Sequence, residues 1–322
     1  MLTMEQMRGL SGGAIISEPC AFDYDYTIIA GNVINNTDYP ATFRLWTSGV
    51  KNQKNKNSCV AHACATLKET QEYYDTGDKH KFSVGWIYGH RDRTHYQGAG
   101  MIVREAFANL LTYGAVHESI LPDNLEFKDI QTIIEERLNV CLEAAKDYKI
   151  KSYAGIGPNE MNRVNAIKSA LYNEHSPVVA NYIVYDSFYD IDDTAIMPKP
   201  NKKSDMNYGG HAVALIGWTT IGNKEYWVIQ NSWGEEFGDN GYFYVPIGEE
   251  ADYGFVEFWC SVDVANYDLT FEDIGGRWSE KYINKCIRAG LISGFEDNTF
   301  RPTDNVTREQ LCVILTKLLQ KS

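Results

Sequence analysis

The sequence predicts an α+β protein: a helix-rich first half, a strand-rich second half and a small helix–loop–helix tail. Three observations carry that expectation. From Cys59 to about Tyr74 the residues are mostly helix formers, among them Ala61, Ala63, Ala65, Leu67, Lys68, Glu69, Gln71 and Glu72. From about residue 150 to 262 the composition turns to that of strands, as in the run Pro177 to Tyr185. Beyond Leu269 it changes again, to an amphipathic helix Tyr282 to Ala289, a glycine-punctuated loop Gly290 to Pro302, and a second helix Gln310 to Gln320. With 322 residues the chain can hold one large domain and a small one, or two of medium size. Its 44% hydrophobic content suits a packed core and argues against disorder. A net charge of −13 disfavours nucleic acid and anionic membranes as partners. No apolar run reaches the roughly 18 residues that a membrane span needs.

Residues 1–39 show neither a charged-then-apolar export signal nor a long helical pro-segment. Gly9, Gly12, Gly13, Gly31 and the polar stretch Asn32 to Asp38 predict an extended or irregular leader. Next comes the stretch Asn52 to Ala63, a loop running into a helix with Cys59 at the junction and Asn57 and Ser58 at capping positions. A thiol there sits where unpaired N–H groups and the helix dipole favour a thiolate. Gln53, six residues earlier, is placed to donate an amide N–H near the sulfur. The plainer reading is a small buried cysteine opening a core helix.

Phe82 to Tyr88 reads as a short helix behind the cysteine, and Met101 to Phe107 as a helix start after Gln97-Gly98-Ala99-Gly100. Ile130 to Lys149 has the pattern of a solvated amphipathic helix. The loop Thr194 to Asn207 either shapes a cleft or is a surface insertion, the second being favoured. Two short strands follow with a polar residue at one end: His211 opens an apolar strand, and Asn231 closes another just before Trp233. Trp227 fits a core position. Seven cysteines, at 20, 59, 64, 141, 260, 286 and 312, form no disulfide framework.

Cys59, His211 and Asn231 supply a nucleophile, a base and an orienting side chain, and in that order the segments resemble the papain-like cysteine peptidases. The matching stretches run from Pro40–Trp46 to Asn240–Phe243. The resemblance implies a two-lobed fold, a helical lobe against an antiparallel β lobe, over residues 40–262. It implies thiol endopeptidase activity on protein or peptide substrates, with no cofactor and no metal. Cys59 would be the nucleophile, His211 the base, Asn231 its orienting partner and Gln53 the oxyanion donor. Gly100 would let substrate backbone pair with the enzyme, unless it only eases the start of a helix, and Met101 and Ala212 would line a pocket. Trp233 would border the site and shield the Asn–His hydrogen bond. Cys64 is expected to be buried and His62 to pack. Lys56, Val60 and Gly210 depart from the family's usual residues, a cysteine, a tryptophan and an acid. The leader either crosses the cleft as an occluding strap or packs elsewhere as an added edge. Nothing in its sequence marks a substrate mimic, which favours the second.

After a linker at 263–270, residues 271–322 resemble a single S-layer homology (SLH) module, a class that binds cell-wall polysaccharide. The resemblance implies a binding surface for an anionic polymer through Trp278 and Arg308. Otherwise Trp278 is core and Arg308 pairs with a neighbouring acid such as Glu309. One such module has a marginal core, so docking on the larger domain or self-association would complete it. An inactive or occluded protein that serves as a wall-binding or assembly module is the alternative function. Hydrolysis of peptidoglycan crosslinks is a further one, disfavoured by Asn231-Ser232-Trp233-Gly234. The tail points to the bacterial cell envelope, while the chain starts without an export signal.

Overall fold

A computed structural model describes residues 2–8, 12–17, 26, 39–91, 100–122, 127–156, 160–262, 271, 273–280, 282, 283, 286, 291–295, 297 and 299–319. Cys20, Gln97–Ala99, the linker 263–270 and much of Tyr282 to Ala289 lie outside these residues. The leader contributes helix α1 (Met4–Arg8) and strand β1 (Ala14–Ile15). The helical lobe follows strand β2 (Phe43–Arg44) and is built from α2 (Cys59–Thr76) and α3 (Val84–Gly89), then strand β3 (Met101–Ile102), α4 (Val103–Tyr113) and α5 (Phe127–Ala145). Helix α2 ends where Gly77 adopts a left-handed conformation, and its N–H bonds back to Tyr73. Met101 and Ile102, expected to begin a helix, are extended instead. Their pairing with β1 holds them in the strand conformation, so the helix starts at Val103.

The β lobe holds β4 (Ser152–Gly155), β5 (Val178–Tyr185), β6 (Asn207–Ile221), β7 (Lys224–Gln230), β8 (Tyr242–Pro246) and β9 (Phe255–Val262). It also holds α6 (Glu160–Tyr172), which the strand-like composition of the region had hidden. The buried Ala166, Ile167, Ala170 and Leu171 give that helix its apolar face. Strand β6 is the axis of the sheet. One edge pairs with β5 from Asn207 to Leu215 and then with β2 at Gly217 and Trp218; the other pairs with β7 from Ala214 to Ile221. That second edge is continued by the leader, where Ala14 of β1 pairs with Gly210.

Buried aromatic side chains fill the β lobe, with Phe188, Phe237, Phe243 and Trp233 packed edge to face. Trp227 is core, and its indole N–H bonds the buried Glu250 carboxylate at 2.5 Å. The helical lobe buries a charged group as well. Glu69 is fully covered and accepts from Lys51 and the Phe82 N–H, both at 2.8 Å, and from Ser48. The loop Thr194 to Asn207 attaches to Tyr244, Ala251, Asp252 and Asp186 through Met197, Lys202, Lys199 and Met206, as a surface insertion would.

In the tail, Phe271, Ile274 and Ile283 with Phe300 form a separate small cluster. Helix α7 (Arg308–Leu319) begins with a reciprocal cap: Thr307 Oγ1 accepts from the Gln310 N–H at 3.1 Å, and Gln310 Oε1 accepts from the Thr307 N–H at 2.9 Å. Leu311, Val313 and Leu315 on this helix are exposed, and Trp278 is 85% exposed beside Tyr282. Trp278 is therefore not core. No described helix is long and apolar enough to cross a membrane.

Candidate active site

Cys59 is the first residue of α2. Ser58 occupies the N-cap position, but its hydroxyl makes no capping bond and turns to His62 Nδ1 at 3.3 Å. The sulfur is left among backbone N–H groups of Ala212, Val60, Cys59 itself and, from the leader, Ala14. These donors favour a thiolate, yet complete burial outweighs them and pushes the thiol up to about 12. The loop before the helix is tied to the end of β7. The Gln53 N–H bonds Ser232 O at 2.8 Å, and Ser232 Oγ donates to Gln53 Oε1 at 2.6 Å. This fixes the amide so that Nε2 donates to Lys56 O at 2.7 Å and to the leader's Gly12 O at 3.3 Å.

His211 sits on β6 just where β7 ends and the leader begins. Its Nε2 lies 2.8 Å from Asn231 Oδ1, an acceptor, so Nε2 carries the proton and Nδ1 keeps its lone pair. The buried Nδ1 has no hydrogen bond among the described residues. Burial lowers the imidazole to about 4 against the opposing effect of Asn231. Burial thus disfavours the charged form of both groups here. Trp233 lies 5.0 Å from the His211 ring and is itself buried, so it covers the Asn231–His211 bond from water.

The leader lies against this buried centre. It has features of both courses the sequence left open, since β1 adds an edge to the sheet and the segment also runs past Gln53 and Cys59. The Gly13 N–H bonds Gly210 O at 3.1 Å, and the Met101 N–H bonds Gly13 O at 3.0 Å, so the chain is stitched to both walls of the cleft. Glycine is demanded on both sides of this contact. A Cβ on Gly12 would stand 2.5 Å from Gly210 O. On Gly13, whose φ is +110°, it would stand 2.5 to 2.7 Å from three atoms of Asn57. On the wall, a Cβ on Gly210 would meet Ala14 O at 2.3 Å, and one on Gly100 would meet the Ile15 side chain at 2.6 Å. Before the strap, α1 is anchored by buried Met7 and by Arg8, whose guanidinium lies 2.9 Å from Asp186. After it, the Ser17 N–H reaches the Glu257 carboxylate at 3.3 Å.

Gln53, Cys59, His211 and Asn231 are therefore brought together, with Gly100, Met101 and Ala212 along the strap and Trp233 behind the imidazole. Cys64 is buried, and burial raises it. His62 is buried against Ser58 and lowered to about 4 by that burial. Trp278 and Arg308 stand on the separate tail. Sequence reasoning weighed the strap against packing elsewhere and leaned to the second. The pair Gly12-Gly13 before Ala14-Ile15-Ile16 was the available signal, since small then β-branched residues suit an extended chain in a narrow groove. Among the described residues, no group of three His, Cys, Asp or Glu could hold a metal ion.

A helix-start cysteine, an imidazole bonded to an asparagine and a nearby side-chain amide are the parts that a thiol acyl-transfer centre of the cysteine–histidine–asparagine class uses. The profile of the papain family of cysteine proteases matches residues 37–261. The chain belongs to that family. The S-layer homology domain matches residues 270–312. A cathepsin B-like cysteine proteinase 3 of Caenorhabditis elegans is 31% identical over 35% of this chain and 30% of its own length. An uncharacterized peptidase C1-like protein of Acanthamoeba polyphaga mimivirus is 30% identical over 53% and 54%. The chain thus spans about half or less of the length of these relatives. Among solved structures, xylellain, a cysteine protease from Xylella fastidiosa, has a TM-score of 0.65 at 23% identity, covering 80% of this chain and 97% of its own. A procathepsin B from Trypanosoma congolense gives 0.59 at 16%, covering 81% and 88%. At these identities the two structures show the fold.

Proposed function

We propose that the protein is a thiol endopeptidase held at rest by its own leader. His211 Nδ1 takes the Cys59 proton, and the thiolate attacks the substrate carbonyl. The oxyanion is received by Gln53 Nε2 and the Cys59 N–H. His211 then protonates the leaving amine and later activates water to release the acyl-enzyme, while Asn231 holds its tautomer. The observation that carries this reading is the hydrogen bond from Gln53 Nε2 to Gly12 O, since the amide meant for an oxyanion already holds a carbonyl of the strap. Displacing the strap rehydrates the pair, which supports ionisation of the thiol.

The test is labelling of Cys59 by a thiol-trapping epoxide together with turnover of fluorogenic peptides. Full-length wild type, Cys59→Ala and Gly13→Val would be compared. Turnover and labelling that are strongest in Gly13→Val and absent in Cys59→Ala support the reading. A Gly13→Val protein that neither labels nor turns over sinks it and leaves the wall-binding or assembly role of the tail.

For that tail we propose attachment to an anionic cell-wall polymer through Trp278 and Arg308, and self-association through α7. The exposure of Trp278 beside Tyr282 and the exposed arginine suit a polymer that offers sugar faces and anionic groups. The half-exposed apolar residues Leu311, Val313 and Leu315 of α7 support the second part. Pull-down on purified cell wall with Trp278→Ala and Arg308→Ala tests the first part; retention equal to wild type would refute it.

A further inference from the structure

A small cavity lies where α2 of the helical lobe meets β6 and β7 of the β lobe. His62 and Thr66, four residues apart on one face of α2, line it from one side; Gln230 at the end of β7 and Asn231 after it line it from the other. Its volume of about 10 Å³ is room for one water molecule and no more.

Three side chains on this lining each keep one group to satisfy, and in each case a neighbour decides which atom it is. Asn231 Oδ1 accepts from the Ser232 N–H as well as from His211, both at 2.8 Å, which settles the two ends of the amide. Its buried Nδ2 has no hydrogen bond among the described residues. Gln230 Nε2 donates to Gly49 O at 3.0 Å, and the buried Oε1 is the end without a partner among these residues. His62 Nδ1 donates to Ser58 O at 2.9 Å, so the proton is on Nδ1 and Nε2 keeps its lone pair. Burial lowers this imidazole to about 4, which leaves that lone pair available at neutral pH. One donor group and two acceptors thus share a space of one water molecule. Water has the complementary set, accepting from Asn231 Nδ2 and donating to Gln230 Oε1 and His62 Nε2. An anion would face two acceptors, and Lys51, also on the lining, is paired with Glu69 at 2.8 Å.

We propose that one buried water joins His62, Gln230 and Asn231, and that through it His62 is a positioning residue for the catalytic pair. His62 stands three residues after Cys59 on the same helix, while Asn231 holds the imidazole of His211. The chain from His62 through water and Asn231 to His211 therefore ties the helix of the nucleophile to the strand of the base. A hydrogen bond given by Asn231 Nδ2 also polarises its amide and makes Oδ1 a stronger acceptor for the His211 Nε2 proton. That keeps the lone pair on His211 Nδ1, the atom that takes the Cys59 proton.

The water site stands by itself, and the positioning role rests on the peptidase reading; the experiment reads them apart. In full-length wild type with isotope-labelled asparagine, the Asn231 side-chain amide protons should show magnetisation transfer from a slowly exchanging water, lost in His62→Leu. Then Gly13→Val, titrated by epoxide labelling of Cys59, would be compared with the same protein carrying His62→Leu, His62→Gln, Asn231→Ala, or His62→Leu with Asn231→Ala. His62→Leu should lower kcat fivefold or more with KM within twofold, and His62→Gln, which keeps an acceptor at that reach, should stay within twofold of Gly13→Val. In the Asn231→Ala background His62→Leu should change kcat less than twofold, because the route to His211 is already cut. A kcat that falls by the same factor in both backgrounds, or in neither, overturns the positioning role. Absence of the water signal at Asn231 in wild type overturns the proposal whether or not any variant folds. If Gly13→Val does not label, the peptidase reading falls and takes the positioning role with it, while the wild-type signal still decides the water site.

Discussion

Gly13→Val should release the strap, and the size of the effect follows from the contacts. At φ +110° a β-branched residue is strained by about 1–3 kcal/mol. Its Cβ would also lie 2.5 Å from Asn57 O, 2.6 Å from Asn57 Cβ and 2.7 Å from Asn57 Cα. Two of these are backbone atoms of the loop that leads into the Cys59 helix, which Gln53 and Ser232 hold in place, so the strap must yield. Overpacking of this kind costs about 1–3 kcal/mol more. Together the terms come to about 2–6 kcal/mol, or roughly 30-fold to 10⁴-fold in the opening equilibrium at about 1.4 kcal/mol per tenfold. If labelling requires the open form, its second-order rate scales with the open fraction until that fraction nears one. The assay is the rate of epoxide incorporation at Cys59 in full-length proteins, with Ile16→Ser, an exposed position of the same segment, as the comparison. A rise of 30-fold or more in Gly13→Val and less than threefold in Ile16→Ser is expected. Equal rates in wild type and Gly13→Val would refute the claim that the strap gates the thiol.

Acid should loosen the strap. Burial lowers His211 to about 4 from an ordinary 6.5, so opening takes up a proton between those values. The contribution to closure is complete above about 6.5 and is lost as pH falls through 4, by up to tenfold per unit; hydrogen exchange of the Gly13 amide, corrected for its intrinsic rate, reads this directly. Asn231→Ala removes the acceptor 2.8 Å from His211 Nε2, and the loss of a buried hydrogen bond worth about 1–3 kcal/mol predicts a fall in kcat of about 5-fold to 150-fold. The Cys59 site of that variant should still react with epoxide after the strap is opened, and kcat equal to wild type would exclude an orienting role. In the tail, Leu311→Ser with Leu315→Ser should abolish concentration-dependent association in sedimentation velocity; unchanged association would place the contact elsewhere.

The constellation was legible because Cys59, His211 and Asn231 each border a run of distinct composition, although His211 itself lies inside β6 rather than at its start. Cys59 follows capping residues, His211 begins an apolar run and Asn231 ends one. Such junctions leave a local trace in composition. Helix α6 was less visible because its alanines and serines carry a weak helical signal inside a strand-rich region. The short strand at Met101 and Ile102 could not be read at all, since its conformation is imposed by Ala14 and Ile15 from a segment some 85 residues earlier. The course of the leader stayed open between two readings for a related reason. Two glycines are a permissive signal in sequence and become a requirement only beside Gly210 and Asn57.

A strap joined to the body that it blocks behaves as an inhibitor at a fixed effective molarity, which no dilution reduces. Substrate competes with it on unequal terms. In such a scheme the apparent KM is multiplied by one plus the closing constant, while kcat at saturation keeps its intrinsic value. The protein would then stay silent toward scattered peptides and respond where cleavable chains are crowded. If the tail binds wall polymer as proposed, proteins crowded at that surface would supply the local density.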